Sequence, residues 1–278
     1  MERQGDGADV RIGIVSYPNA VDDGAGTLGE RSLRTAAERA GVTAVGSSVT
    51  GRADANTAGP DDLDTVLDAD PDVLIALGER ALLTLARRGV GIPVLPIDAG
   101  EGLPSTPARD IDEALGSLRD GDPPLVERPI LRIAIGDEPA GRALFDATLV
   151  TSEPARISEF ELGRNGERVD AVRADGIVVA TAAGSSEYAH AAGGPLLAPG
   201  SGVVAVVPIA PFAVNPDRWV VPPESLSLQV VRDDYEVTLY ADDRAVGTVP
   251  VGTAVTFAPA GVLRIVVPPG VSAPIPDQ

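Results

Sequence analysis

The feature that most limits what this chain can fold into is a change of hydrophobic pattern at Gly121-Asp122-Pro123-Pro124. Before it, short apolar runs of strand length alternate with stretches of helical spacing. After it, β-branched segments follow one another between turn residues, and helical spacing nearly vanishes. The pattern predicts an α/β domain with a parallel sheet at residues 10–120 and an all-β sandwich at 121–270, with polar tails at 1–9 and 271–278.

Within the first part, Val10 to Ser16 is continuous in branched apolar residues, as buried parallel strands are. Leu33, Ala36, Ala37 and Ala40 then fall on one helical face, with Gly41 where a C-terminal cap belongs. A second strand is expected over Val42 to Val49, a polar loop from Gly51 to Pro60, and a short helix around Leu63 to Leu67. Asp72 to Ala76 reads as a third strand, Arg80 to Arg88 as a helix and Pro93 to Ile97 as a fourth strand. Ligands of open parallel sheets sit beyond the carboxyl ends of strands, which directs attention to Leu77 to Arg80.

The second part breaks into strand-like segments such as LRIAIG, RALFDATLVT, ARISEFEL, GIVVAT, VVAVVP, LSLQVV, EVTLYA, AVTFAP and VLRIVVP. One stretch interrupts them. Ala182 to Gly194 is small, polar and glycine-bearing, with room for a single helical turn.

Composition narrows the chemistry. The chain has no Cys, which excludes disulfides, thiolate metal sites and a cysteine nucleophile, and His190 as the one histidine leaves little scope for a Ser-His-Asp triad or a His-rich metal site. No metal site is expected from its own side chains. The net charge is -19, from 41 acidic residues against 22 basic ones, all of them Arg. With only 3% aromatic residues and many small apolar ones, this suits a halophilic protein whose acidic surface is screened by molar salt; an acidic protein of a GC-rich genome is the plainer alternative. Either way, neither nucleic acid nor an anionic membrane is an expected partner. There is no long apolar run, and Met1 to Asp9 is polar, so a soluble cytoplasmic protein is expected.

The interruption carries the strongest signal: Asp175-Gly176-Ile177-Val178-Val179-Ala180-Thr181-Ala182-Ala183-Gly184-Ser185-Ser186-Glu187-Tyr188, then Gly193-Gly194-Pro195. Taken singly, each glycine is equally a turn glycine of a sandwich and Tyr188 equally a core residue. In order and register, the set resembles the signature of the NAD kinase family, where an Asp-Gly and a strand lead into a Ser-Thr-Pro-Thr-Gly-Ser-Thr-Ala-Tyr loop and an Ala-Gly-Gly-Pro turn. Pro208-Ile209-Ala210-Pro211 and Val220-Val221-Pro222 are similar to the next family block, with Phe212 at the family's histidine position.

The resemblance implies a bound NAD or NADP, ATP with Mg²⁺ as phosphoryl donor, a site to which both domains contribute, and a homodimer or homotetramer. It implies substrate-binding roles for Asp146, Asp175, Thr181, Gly184, Ser185, Ser186, Tyr188, Gly193 and Gly194, with Asp175 toward the nicotinamide end. Small residues and hydroxyls let backbone amides approach a ribose and a pyrophosphate, and Tyr188 offers a flat face.

Other family positions are altered. The Gly-Gly-Asp-Gly-Thr loop appears as Leu77-Gly78-Glu79-Arg80-Ala81, so Gly78 and Arg80 are the expected phosphate contacts and Glu79 the expected catalytic base. Leu77 and Arg80 are expected to crowd the phosphates. The Asn-Glu pair is Phe145-Asp146, the Asn-x-Gly-x-Leu-Gly-Phe loop is reduced to Asp98 to Leu103, Ala191 replaces a serine and Glu187 a small residue. Three readings follow: a nucleotide-binding protein with impaired phosphoryl transfer, a competent NAD kinase using Glu79 and Arg80, and a non-catalytic assembly partner.

Overall fold

The structure, a computed structural model, describes residues 10–17, 29–49, 60–100, 102–121, 123–153, 157–213, 216–232 and 235–272. The expected loop from Gly51 to Pro60 and the tails at 1–9 and 273–278 lie outside them, apart from Pro60 itself. The described residues divide into two compact units. One takes the chain up to Leu85, Val90–Glu127 and the residues from Leu263 onward; the other takes Ala86–Gly89 and Arg128–Val262.

The first unit is α/β. Strands β1 (Arg11–Ser16), β2 (Thr43–Val49), β3 (Val73–Leu77) and β4 (Val94–Ile97) lie in the order β2-β1-β3-β4 and pair in parallel. Helices α1 (Glu30–Ala40), α2 (Pro60–Asp68), α3 (Glu79–Arg88) and α4 (Ile111–Asp120) connect or follow them. The anticipated face of α1 is the one that packs inward, with Leu33, Ala36, Ala37 and Ala40 buried. Gly41 caps the helix in the left-handed region, and the Val42 amide reaches back to the Ala37 carbonyl at 2.9 Å. Helix α4 has no counterpart among the expected elements; its Ile111, Ala114, Leu115 and Leu118 close the same core.

The second unit is built of antiparallel strands in two sheets. One contains β5 (Leu125–Ile135, from Arg128 in this unit), β6 (Glu138–Ala143), β8 (Ser158–Arg164), β9 (Glu167–Ala174), β13 (Leu226–Arg232) and β16 (Ala254–Val266, to Val262 in this unit). The other runs β12-β11-β10-β7-β14-β15, from β12 (Trp219–Val221), β11 (Val204–Ile209), β10 (Gly176–Ala180), β7 (Asp146–Thr151), β14 (Val237–Ala241) and β15 (Arg244–Thr248). Their inward positions, among them Leu131, Leu149, Phe160, Ile177, Val206, Leu228 and Leu239, form one apolar core.

Two segments differ from the sequence reading. RALFDATLVT is not one strand, because Leu144 and Phe145 turn the chain between β6 and β7. Conversely AVTFAP and VLRIVVP are one strand, β16; its internal Pro259 and Gly261 look like breakers in sequence but lie within the continuous strand. Among the described residues no helix is long and apolar enough to cross a membrane.

Candidate functional site

The altered glycine loop is described within the first unit. Leu77 ends β3 with its side chain in the core, 4% exposed and packed among Ile14, Ile75 and Ile97. It therefore does not crowd the loop, contrary to the sequence reading, because β3 is buried on both faces and its last side chain joins the core. Gly78 follows with φ 78°, a left-handed conformation costly for any side chain, and its amide donates to the Ile97 carbonyl at 2.8 Å. Glu79 is exposed and opens α3, so the carboxylate and the helix's first amides share one end. Arg80 is half-buried, its guanidinium 4.6 Å from the centre of the buried Tyr17 ring. The Tyr17 hydroxyl meets the Thr84 hydroxyl at 2.6 Å, which in turn donates to the Arg80 carbonyl at 2.9 Å.

The glycine-rich stretch is described within the second unit. Strand β10 ends at Ala180, opposite Asp146 at the start of β7. Thr181 then turns the chain: its amide donates to the Phe145 carbonyl at 2.8 Å and its hydroxyl to the Leu144 carbonyl at 2.7 Å. The same hydroxyl accepts from the Gly184 amide at 3.3 Å. A Cβ at Gly184 would collide with the Phe145 carbonyl, so only glycine lets the loop lie so close to the turn. Ser185, fully buried, donates to the Ala182 carbonyl at 2.9 Å and accepts from the Leu197 amide at 3.0 Å. The hydroxyls of Thr181 and Ser185, expected to face a ligand, are thus committed inside the loop and hold its shape.

What the loop presents outward is Ser186, half-buried, and Tyr188, 49% exposed at the start of α5 (Tyr188–Ala191). Gly193 and Gly194 close this turn, their amides bonding the carbonyls of His190 and Ala189 at 2.8 Å each. Asp146 stands at the same end of the sheet as this loop. Asp175 does not: it precedes Gly176, which pairs with Val150, and its amide donates to the Ile209 carbonyl at 3.0 Å. The length of β10, about 17 Å at 3.4 Å per residue, separates it from Thr181. Phe145, at the family's amide position, is buried.

The sequence reading missed Asp242, in the tight turn between β14 and β15. Its carboxylate accepts the amides of Leu144 at 3.0 Å, Phe145 at 2.8 Å and Asp146 at 3.1 Å. Burial pushes the Asp242 carboxyl up to about 6, against the lowering effect of these three bonds and of Arg87. Asp146 is also raised to about 6, first by burial and further by the Asp242 charge, while a bond from the Thr148 hydroxyl works the other way. An Asp-Asp pair between alternating strands reads only as a turn, and nothing in sequence joins it to a turn 97 residues earlier. Among the described residues no three His, Cys, Asp or Glu side chains gather as a bound metal would require.

Comparison with known proteins agrees with this architecture. Residues 145–258 match the family model of the ATP-NAD kinase C-terminal domain. The NAD kinase of Methanosphaera stadtmanae is 33% identical over 160 residues, 56% of this chain and 58% of that protein. The NAD kinase of Thermococcus sibiricus is 30% identical over 178 residues, 62% of this chain and 64% of that protein. The matched regions thus span less than two thirds of these relatives' length. In structure, yeast NADH kinase in complex with NADH superposes with a TM-score of 0.70 at 16% identity, covering 93% of this chain and 83% of that one. The Archaeoglobus fulgidus NAD kinase in complex with ATP gives 0.67 at 21% identity, covering 92% and 93%. The chain has the fold of these kinases, and residues 145–258 are similar to the C-terminal domain of ATP-NAD kinases.

Proposed function

We propose that this protein binds NAD or NADP together with an adenine nucleotide, as a homo-oligomer, and transfers the γ-phosphoryl group of ATP to the 2′-hydroxyl of NAD at a reduced rate. The observation that carries the reading is the loop from Thr181 to Tyr188. It is locked from inside by the Thr181 and Ser185 hydroxyls and turns Ser186 and Tyr188 outward, at the end of the sheet where Asp146 begins β7. Buried hydroxyls spent on loop shape make a rigid surface, which is what recognition of a nucleotide needs. Asp146 supplies an acceptor for sugar hydroxyls, and Tyr188 a ring face.

The reduced rate rests on two substitutions. Phe145 is buried and offers no amide to orient the dinucleotide. Arg80 gives the phosphate loop a side chain engaged with Tyr17 where the family has a glycine. Removing one preorganised donor from an acyl-transfer oxyanion hole costs about 10²–10³ in rate, and a lost orienting amide acts in the same direction.

A competent enzyme is the second reading, favoured by the inward side chain of Leu77, which leaves the loop less obstructed than its sequence suggests. There Glu79 takes the proton of the 2′-hydroxyl, the freed oxygen attacks the γ-phosphorus, and the bond to ADP breaks. Mg²⁺ would enter with ATP as part of the substrate.

Titration calorimetry with NAD, NADP and ATP, beside an assay for NADP formation, tests both. Binding with slow turnover supports the first reading. Rapid turnover abolished in Glu79→Gln supports the second. Absence of binding to all three, in a folded sample at high salt, overturns both and leaves the assembly role.

A further inference from the structure

Asp242 lies outside every segment that the family resemblance singled out, yet it is bonded to the centre of the candidate site. Its two carboxylate oxygens accept three consecutive amides: Oδ2 takes Leu144, and Oδ1 takes Phe145 and Asp146. Successive amides turned to one point form an anion-binding concavity, and here the anion is a side chain of the same chain. The contact is reciprocal, since the Asp242 amide donates to the Asp146 carbonyl at 2.9 Å. Asp242 itself sits at φ 51°, in the left-handed region that Asp enters more readily than most residues and that suits the tight turn between β14 and β15.

The carbonyls of that turn are equally committed. Leu144 and Phe145 accept the hydroxyl and the amide of Thr181, and the Phe145 carbonyl leaves room only for glycine at 184. One carboxylate therefore fixes the amide side of a turn whose carbonyl side fixes the glycine-rich loop. The charged groups around it are Asp146 on β7, and Arg87, which pairs with Asp243 at 2.6 Å. Arg142 on β6 donates to the Arg87 carbonyl at 3.5 Å.

We propose that Asp242 is a positioning residue of the nucleotide site, holding Asp146 on one side of the Leu144-Phe145 turn and the Thr181–Gly184 corner on the other. The inference rests on the reading of that loop as the NAD(P) site. It makes nucleotide affinity depend on a residue that touches no nucleotide, and it couples that affinity to the ionisation of Asp146, because the Asp242 charge opposes the Asp146 charge.

The test compares full-length wild type with Asp242→Asn, Asp242→Ala and, as a destabilised control, Leu228→Ala in the core of the same unit. NAD and NADP binding is measured by calorimetry from pH 5 to 8, and hydrogen exchange is followed at the amides of 144–146 and 181–184. Asp242→Asn should weaken binding by about 10-fold or more at pH 8, since the amide removes the charge and turns a donor toward one N–H. It should also lower the pH at which binding is half lost, because Asp146 then ionises without a like charge beside it. In Asp242→Ala, protection should fall together at 144–146 and at 181–184. Leu228→Ala should lower the melting temperature while leaving the pH midpoint in place.

Outcomes separate the two layers of the argument. If wild type binds and Asp242→Asn binds as tightly with the same pH midpoint, the positioning role is wrong and the site reading stands. If wild type binds no nucleotide, the site reading fails and takes the inference with it. If the two segments lose protection independently, the coupling through the Leu144-Phe145 turn is refuted whatever binds.

Discussion

Restoring the family's glycine at Leu77 is the substitution that sequence comparison alone would recommend, and the structure predicts that it fails. Leu77 is 4% exposed among Ile14, Ile75 and Ile97, so Leu77→Gly removes a core side chain and places glycine in a buried strand. Truncating a buried leucine to alanine costs about 2–5 kcal/mol. Glycine in a strand adds about 0.5–1 kcal/mol through the entropy of the unfolded chain. The sum, about 3–6 kcal/mol, is a large part of the roughly 5–15 kcal/mol that holds a domain folded. Arg80→Gly is the contrasting change. It forfeits a stacking contact worth about 0.5–1 kcal/mol, and the helix pays about 1 kcal/mol for glycine. Urea unfolding at fixed salt should therefore show Leu77→Gly far below wild type and Arg80→Gly within about 2 kcal/mol of it. The activity assay belongs with Arg80→Gly combined with Glu79→Asp, where NADP formation should rise if Arg80 is the obstruction. A Leu77→Gly protein within about 1 kcal/mol of wild type would refute the inward placement of that side chain, since core truncation cannot be so mild.

Further outcomes follow from the second unit and from the charge. Gly184→Ala should destabilise the fold and abolish nucleotide binding while leaving secondary structure intact, as circular dichroism and calorimetry would show, because its Cβ meets the Phe145 carbonyl. Asp146 and Asp242, both raised to about 6 from 3.8, keep protons in the folded state that the unfolded chain has released. Their contribution to stability is thus full below pH 4, and is lost as pH rises through about 6. In Asp146→Asn, the slope of melting temperature against pH across that window should become less negative. With a net charge of -19, melting temperature should fall when molar salt is reduced to about 10 mM, where the Debye length reaches about 30 Å; an unchanged value would count against halophilic adaptation.

How far the sequence reveals this molecule depends on whether the determining interactions are local. The face of α1 follows from periodicity and its left-handed cap from Gly41, while the strands through Ile12 and Ile75 follow from continuous apolar runs, since a parallel sheet is buried on both faces. The continuity of β16 is hidden in the sequence because Pro259 and Gly261 act as breakers on average, whereas here the surrounding sheet overrides them. The placement of Leu77 is hidden for a related reason. A motif position identifies which residue is unusual, but the direction of its side chain is set by the strand that carries it, and β3 points it into the core.

The candidate site divides in the same way. Gly184, Ser186 and Tyr188 could be picked out because their spacing is itself the signal, while the division of labour among the hydroxyls could not. Ser185 and Ser186 are adjacent and chemically identical, yet one is fully buried in bonds to Ala182 and Leu197 and the other is half-exposed. Which one is left outward is decided by the course of the loop, whose corner at Thr181 is held by the carbonyls of Leu144 and Phe145, far away in sequence. Asp242 is the limiting case. Its neighbours in sequence ask only for a turn, and its importance comes wholly from three amides brought to it by the pairing of β14 with β7. Functional groups that act through side chains leave a mark in residue spacing, whereas those that act by holding another segment's backbone leave it only in the fold.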